Sequence, residues 1–312
     1  MDTIGIIVPC FNEEDVLELF YKEMHKIMDQ MSSVRFRIMF VDDGSRDNTL
    51  GILRQLHSID PRCEYVSFSR NFGKESALYA GFQNLDADYT VLMDADLQHP
   101  PALIPKMYEM VSSGQCDCAA AFRKDREGES KIRAFLSRRF YGVMNNMSSV
   151  EMRPNATDFR MMNRKVCDAM RNLTEHHRFT KGIFSWVGFH TEWIPYENIE
   201  RAAGESKWHL KSLLSYALNG ITSYSDWTLK LPKYVGIIFI LGWIASIIVL
   251  RLLHHAFTMP DAVFSLILFC SGILCFMLRG LGVYIYRIYE EDMNRPQYLV
   301  KEKGITDGKP EE

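Results

Sequence analysis

The chain reads as an α/β domain on a mostly parallel sheet, followed by interfacial amphipathic helices and two transmembrane helices. Three observations predict this. Across residues 1–122 short apolar runs alternate with helical patterns, and strands that alternate with helices form parallel sheets because each crossover returns the chain to the same edge. The runs end in polar residues, at the carboxyl edge where open sheets of this kind bind ligands. Near the C-terminus, two runs without internal charge each reach roughly 20 residues with their flanks, enough to cross a bilayer as a helix.

Taken in order, apolar runs at Ile4–Val8, Arg37–Val41, Tyr65–Phe68, Tyr89–Met93 and Cys118–Phe122 predict strands. Helical patterns at Glu13–Met31, Asp47–Ile59, Lys74–Leu85 and Ala102–Ser113 predict the connections, the second capped by Asp47 and the fourth opened by Pro100-Pro101. After Phe122 the rhythm breaks. Arg123, Lys124, Arg126, Lys131, Arg133, Arg138 and Arg139 are mixed with Ile132, Phe135, Leu136, Phe140 and Tyr141. Such a basic amphipathic segment suits anionic lipid or a bound phosphate, or is simply a solvated helix face. Ser206–Leu231 is amphipathic too, carrying Trp208, Tyr216, Tyr224 and Trp227 beside Lys207, Lys211 and Lys230, a composition that fits a helix in the membrane interface.

The expected organisation is therefore a catalytic domain over 1–204, an interfacial segment over 205–231, two spans over 232–290 (about 234–253 and 262–282) and a tail over 291–312, with Lys301–Glu312 disordered. No signal peptide precedes the first strand-like run. Lysine and arginine flank the pair of spans while the loop between them lacks lysine, so the domain and both termini are expected on the cytoplasmic side of a cell membrane. Gly236, Gly242 and Gly272 would allow the spans to pack in a homo-oligomer. A net charge of −3 with 24% charged residues argues against nucleic acid as a partner. The seven cysteines have neither zinc-site nor redox spacing and fit a reducing compartment.

The most informative motif is Met93-Asp94-Ala95-Asp96-Leu97-Gln98. A buried strand ending in Asp-x-Asp delivers hard oxygen ligands that suit Mg²⁺ or Mn²⁺ bridging to phosphates; a capped helix start uses the same residue types. Asp42-Asp43-Gly44-Ser45 ends another strand, where carboxylates can accept hydrogen bonds from a base or ribose and Gly44 lets the backbone pass closely. Taken alone it reads first as a capped turn; paired with Asp94 and Asp96 one strand along, the ligand-site reading leads.

Val8-Pro9-Cys10-Phe11-Asn12-Glu13-Glu14, Val41-Asp42-Asp43-Gly44-Ser45, Arg70-Asn71-Phe72-Gly73-Lys74-Glu75 and Asp94-Ala95-Asp96-Leu97-Gln98-His99-Pro100-Pro101 occur in that order. Together they resemble an inverting family 2 glycosyltransferase of the glycosyltransferase A fold, whose sheet domain binds a nucleotide sugar. With Thr157-Asp158-Phe159-Arg160-Met161-Met162, Gly204-Glu205-Ser206-Lys207-Trp208, Arg295-Pro296-Gln297-Tyr298 and the two spans, the chain is similar to the polyprenyl-phosphate hexosyltransferase branch. That branch includes bactoprenol glucosyltransferases and dolichol-phosphate mannosyltransferases. One departure is His99, where aspartate is more usual.

The resemblance implies transfer of a hexose from a UDP- or GDP-sugar to a polyprenyl phosphate, undecaprenyl phosphate in a bacterium, with Mg²⁺ or Mn²⁺ as cofactor. Asp94, Asp96 and Gln98 would hold the metal on the donor diphosphate. Pro9, Asn12, Glu14, Asp42 and Asp43 would frame the nucleoside. Arg201 and Lys207 would close over the diphosphate, and Lys74 would contact donor phosphate or begin a helix. Arg123, Arg133 and Arg138 would grip the lipid phosphate. Asp158, with Arg160 beside it, occupies a motif that supplies a base in relatives with sugar acceptors. A phosphate acceptor already carries most of its charge near neutral pH, its second ionisation lying near about 6. Asp158 is thus a base, an orienting group for Arg160 or the acceptor, or half of a buried ion pair. Two other readings share the motifs: a glycan-extending membrane synthase and a non-catalytic nucleotide-sugar-binding membrane protein.

Overall fold

Strands in the N-terminal half are apolar on both faces, as Ile4, Ile6, Ile7 and Val8 illustrate, so they need helices above and below before they can leave water. The computed structural model describes residues 1–124, 153, 156–176, 178–197, 237, 241–245, 248 and 259–306. In chain order the elements are β1 (Thr3–Cys10), α1 (Leu17–Gln30), β2 (Arg35–Asp42), α2 (Thr49–Ile59), β3 (Cys63–Phe68), α3 (Lys74–Asn84) and β4 (Tyr89–Leu92). Next come a 3-10 turn at Pro101–Leu103, α4 (Ile104–Ser112), β5 (Cys118–Arg123), β6 (Ala156–Asn163), α5 (Arg164–Asn172), α6 (Thr180–Trp186) and β7 (Thr191–Tyr196). The described chain closes with α7 (Met259–Asp292) and β8 (Val300–Gly304).

All the strands belong to one sheet in the order β7-β5-β6-β4-β1-β2-β3-β8. Its centre, β4-β1-β2-β3, is parallel, as the strand-helix alternation predicts. The parallel pattern stops at β6, which inserts antiparallel between β4 and β5. Leu17, Phe20 and Met24 of α1, Ile52 and Leu56 of α2 and Ile104 and Met107 of α4 cover one face of the sheet. Ala77 and Leu78 of α3, Val166 and Met170 of α5 and Ile183 of α6 cover the other. Burial on both sides orders the strand ends that carry the polar residues.

One expectation about the C-terminal third changes. Val300–Gly304 is a strand rather than a disordered tail: β8 pairs antiparallel with β3, Val66 opposite Lys303 and Ser67 opposite Glu302. Its charges sit on an edge strand, where they deter further pairing without preventing the first. Helix α7 runs from Met259 to Asp292, through the expected second span and past its end near 282, with no proline after Pro260 to stop it. Ser265–Asp292 is the one helix among the described residues long and apolar enough to cross a membrane. Most of the first expected span and all of the interfacial segment lie outside the described residues.

Candidate active site

The strand registers bring the polar strand ends into one row. Cys10 of β1 pairs with Asp42 of β2, and Asp42 with Ser67 of β3. Leu92 of β4 pairs with Ile7 of β1 on one side and Arg160 of β6 on the other. Continuing the antiparallel register two residues beyond Leu92 sets Asp94 across from Asp158. Lys74, at the first turn of α3, reaches both: its Nζ lies 2.7 Å from Asp94 Oδ1 and 2.8 Å from Asp158 Oδ2.

This triad governs the electrostatics. Burial works against the Lys74 ammonium, but Asp158 and then Asp94 outweigh it and raise its pKa above the ordinary lysine value. Burial likewise pushes the Asp158 carboxyl up, while the ammonium groups of Lys74 and Lys181 hold it well below the usual carboxylate range. Asp94 is lowered in the same way, its burial overcome chiefly by Lys74. Asp158 is therefore an ion-paired carboxylate.

Lys181 had no signal in the sequence, being a lone lysine at a helix start. Its Nζ donates to Ala156 O at 3.2 Å and lies 4.0 Å from Asp158 Oδ1. Arg160 stands behind Asp158 on the same face of β6. It is 4% exposed, its guanidinium lies 3.9 Å from the Phe184 ring centroid, and it donates to Thr157 O at 3.1 Å. It acts on Asp158 through its charge.

The Asp-x-Asp turn is held in a constrained shape. Leu97 has φ +58°, a left-handed conformation that costs a non-glycine residue about 1 kcal/mol or more. Two bonds hold the turn: Gln98 N donates to Asp96 Oδ1 at 3.1 Å, and Asp94 N donates to His99 Nδ1 at 3.1 Å. The His99 ring is buried and stacked on Phe159 at 5.3 Å. Burial lowers its pKa, so the ring stays neutral and its Nδ1 free to accept. Arg123 approaches from β5, with Nη2 3.4 Å from Gln98 Oε1 and Nε donating to Tyr196 Oη at 3.3 Å. One of the three candidate lipid-phosphate arginines thus stands beside the acidic turn. Arg133, Arg138, Arg201 and Lys207 lie outside the described residues.

The nucleoside-framing candidates behave differently. Asp42 is 1% exposed and accepts from Ser45 N at 2.9 Å and Ser67 Oγ at 2.7 Å. Asp43 accepts from Phe72 N at 2.6 Å and Gly73 N at 2.9 Å. Burial outweighs those bonds and pushes its pKa up to about 6. Gly44 has φ +66°, and a Cβ there would fall 2.3 Å from the Arg70 carbonyl carbon, so only glycine allows the two loops to meet. Asn12, at φ +52°, donates its N–H to Ser45 Oγ and accepts from Arg46 N, both at 2.8 Å. Glu14 Oε2 accepts from Asn48 N at 2.8 Å. Pro9 pairs with Val41 one residue before the row. These groups stitch three loops into the floor of a crevice beside the Lys74 triad.

Among the described residues no group of three or more His, Cys, Asp and Glu side chains is arranged to hold a metal ion. Asp94 and Asp96 nonetheless fit Mg²⁺ or Mn²⁺, which take oxygen donors, keep several waters and draw remaining ligands from phosphates. Both carboxylates follow β4 directly, two and four residues after Leu92.

Residues 5–171 match the profile of Glycosyl transferase family 2. An uncharacterised glycosyltransferase, YkcC of Bacillus subtilis (strain 168), is 39% identical over 306 residues, covering 96% of this chain and 94% of its own length. The bactoprenol glucosyl transferase of Shigella phage SfX is 36% identical over 312 residues, covering 96% of this chain and 99% of its own. Among solved structures, mannosyl-3-phosphoglycerate synthase from Rubrobacter xylanophilus superposes with a TM-score of 0.48 at 15% identity, over 71% of this chain and 72% of that one.

Proposed function

The chain belongs to glycosyl transferase family 2, and from that premise we propose that it transfers a hexose from a nucleotide diphosphate sugar to a polyprenyl phosphate, inverting the anomeric carbon. The observation that carries the acceptor is the ion pair between Lys74 and Asp158. A carboxylate held well below its usual pKa range is a poor proton acceptor. An alcohol acceptor needs such a base; a phosphate monoester near neutral pH does not. The relatives named bactoprenol glucosyl transferase, aligned along almost the whole chain, support the same acceptor and make a glucose donor the first to test.

The proposed division of labour follows from position. Asp94 and Asp96, with Gln98 beside them, would hold Mg²⁺ or Mn²⁺, which when bound neutralises charge growing on the departing diphosphate. Lys74 presents a permanent positive charge next to that carboxylate pair and orients Asp158. Asp158 and Lys181 shape the acceptor side of the crevice and keep it from stripping protons off water. Arg123 attracts the incoming lipid phosphate, a role shared in this reading with Arg133 and Arg138. Asp42, Asp43, Asn12 and Glu14 define the nucleoside end through the loops they hold, and Arg201 and Lys207 cover the diphosphate. Helix α7 anchors the domain to the membrane where the lipid acceptor resides.

The test is direct. Purified protein in detergent is incubated with Mg²⁺, undecaprenyl phosphate and a panel of labelled nucleotide sugars, and label entering the organic phase is counted. Label from one donor, lost on chelation and restored by Mg²⁺ or Mn²⁺, is the expected result. Binding of a nucleotide sugar with no lipid product from any donor would overturn the reading.

A further inference from the structure

From the contacts of residues 297–306 we infer that the segment after α7 is a strap that sets the stance of the catalytic crevice over the membrane, with Tyr298 its central positioning residue. The inference rests on the lipid-acceptor reading above. Helix α7 has 34 residues, about 50 Å at 1.5 Å per residue, against a hydrocarbon layer of about 30 Å. Its last turns therefore continue beyond the bilayer as a rigid rod. The rod meets the domain at once: Glu291 Oε1 accepts from His176 N at 2.8 Å, in the turn between α5 and α6. Asn294, at φ +47°, closes the helix with its N–H on Glu291 O at 3.1 Å, the left-handed residue that helix ends favour.

Past Pro296 the strap makes a run of contacts with the domain. Gln297 Nε2 donates to Thr174 O at 2.9 Å and Glu175 O at 2.8 Å. The Tyr298 ring stacks on Phe68 with centroids 4.8 Å apart and planes 19° apart, and its hydroxyl meets Asn84 Nδ2 at 3.4 Å. Ser69 N donates to Leu299 O at 2.9 Å, after which β8 zips along β3. Glu302 takes a forked pair of bonds from Arg54, Nε at 2.8 Å and Nη2 at 2.5 Å, and a third from Tyr65 Oη at 3.1 Å. Thr306 ties the far end to Glu64 and Pro61.

The stack also leads to the crevice. Phe68 meets Phe72 edge-on at 5.8 Å, Phe72 N donates to Asp43, and Lys74 follows two residues later. A rod fixed in the membrane is thus joined, through Tyr298 and Phe68, to the loop that carries Lys74. A strap of this kind leaves the chemistry of the crevice alone and raises the effective concentration of a membrane-bound acceptor at it, which a loose linker would lower.

The experiment compares acceptors in the full chain: undecaprenyl phosphate in vesicles of phosphatidylethanolamine and phosphatidylglycerol, and a water-soluble prenyl phosphate of two or three isoprene units. For Tyr298→Ala combined with Glu302→Arg, the apparent KM for the vesicle acceptor rises about tenfold while kcat/KM for the soluble one stays within about twofold. Tyr298→Leu alone gives the same split at smaller size and is the variant to use if the double change does not fold. Glu302→Arg with Arg54→Glu, which restores the pair in reverse, matches wild type on both. Equal losses on both acceptors, or no change on either, would overturn the strap. Failure of wild type on both acceptors would instead overturn the lipid-phosphate reading.

Discussion

Asp42–Asp43 and Asp94–Asp96 look alike in sequence, each an acidic pair at the end of an apolar run, yet the fold uses them in different ways. Asp42 and Asp43 are consumed by backbone amides and a serine hydroxyl: Ser45 N, Ser67 Oγ, Phe72 N and Gly73 N. They hold loops. Asp94 is engaged by a lysine side chain, is 30% exposed in its side chain, and sits beside a carboxylate delivered by an antiparallel strand. The difference teaches that a strand-end carboxylate holds loops when adjacent backbone amides fill it, and joins a charged cluster when an antiparallel neighbour brings a second carboxylate and a lysine beside it.

The comparison breaks most visibly at Asp96. Asp96→Ala is expected to lower transfer by about 10²–10³-fold or more, with helix content by circular dichroism and membrane insertion unchanged; full activity would remove the metal assignment. Next is Lys74→Ala, which leaves Asp94 and Asp158 facing each other without their cation and costs about 10²-fold in kcat/KM. Because Lys74 is what depresses Asp158, its removal raises that pKa, and the acid limb of the pH–rate profile moves to higher pH. An unmoved limb would mean Asp158 takes no part in the step.

On the other acidic pair the readout is stability. Asp42→Ala leaves the half-buried Ser45 N–H and the buried Ser67 hydroxyl without their acceptor, the hydroxyl alone costing about 1–3 kcal/mol, so the thermal midpoint falls while turnover per folded molecule holds. Loss of turnover at an unchanged midpoint would make Asp42 a direct ligand of the nucleotide. The smallest effect belongs to Asp43, whose folded pKa of about 6 stands above the ordinary aspartate value. A carboxyl raised on folding contributes stability that is present below its unfolded pKa and lost as pH rises through its folded value. Wild type should lose about 2 kcal/mol between roughly pH 4 and 6, and Asp43→Asn should flatten that slope in denaturant melts at the two pH values.

Particular residues show how far reading from sequence reached. The strand at Tyr89–Met93 and the helix at Lys74 were legible because apolar periodicity and glycine punctuation are local properties. β6 was recognisable only as a motif: Asp158 and Arg160 alternate with the buried Phe159 and Met161, but its antiparallel insertion between β4 and β5 breaks the strand-helix rhythm that marked the other strands. β8 was hidden altogether: Val300-Lys301-Glu302-Lys303-Gly304 has the composition of a solvated tail, and what makes it a strand is Arg54 and Tyr65 on elements more than 200 positions earlier. His99 was visible as a departure from the family pattern, but its role as acceptor for the Asp94 amide depends on Phe159 stacking beneath it.

By itself the sequence determined the α/β class, the parallel centre of the sheet, the apolar helix near the C-terminus and the residues able to bear chemistry. Each of these follows from local composition, which folding does not alter. Only the tertiary structure decided that Asp94 faces a lysine while Asp42 and Asp43 face backbone amides and a hydroxyl. It also decided that Asp158 is paired with Lys74, and that the last strand returns to β3. Those outcomes depend on the register of β6 against β4 and of β8 against β3, and a shift of one residue in either would turn the same side chains to the opposite face of the sheet.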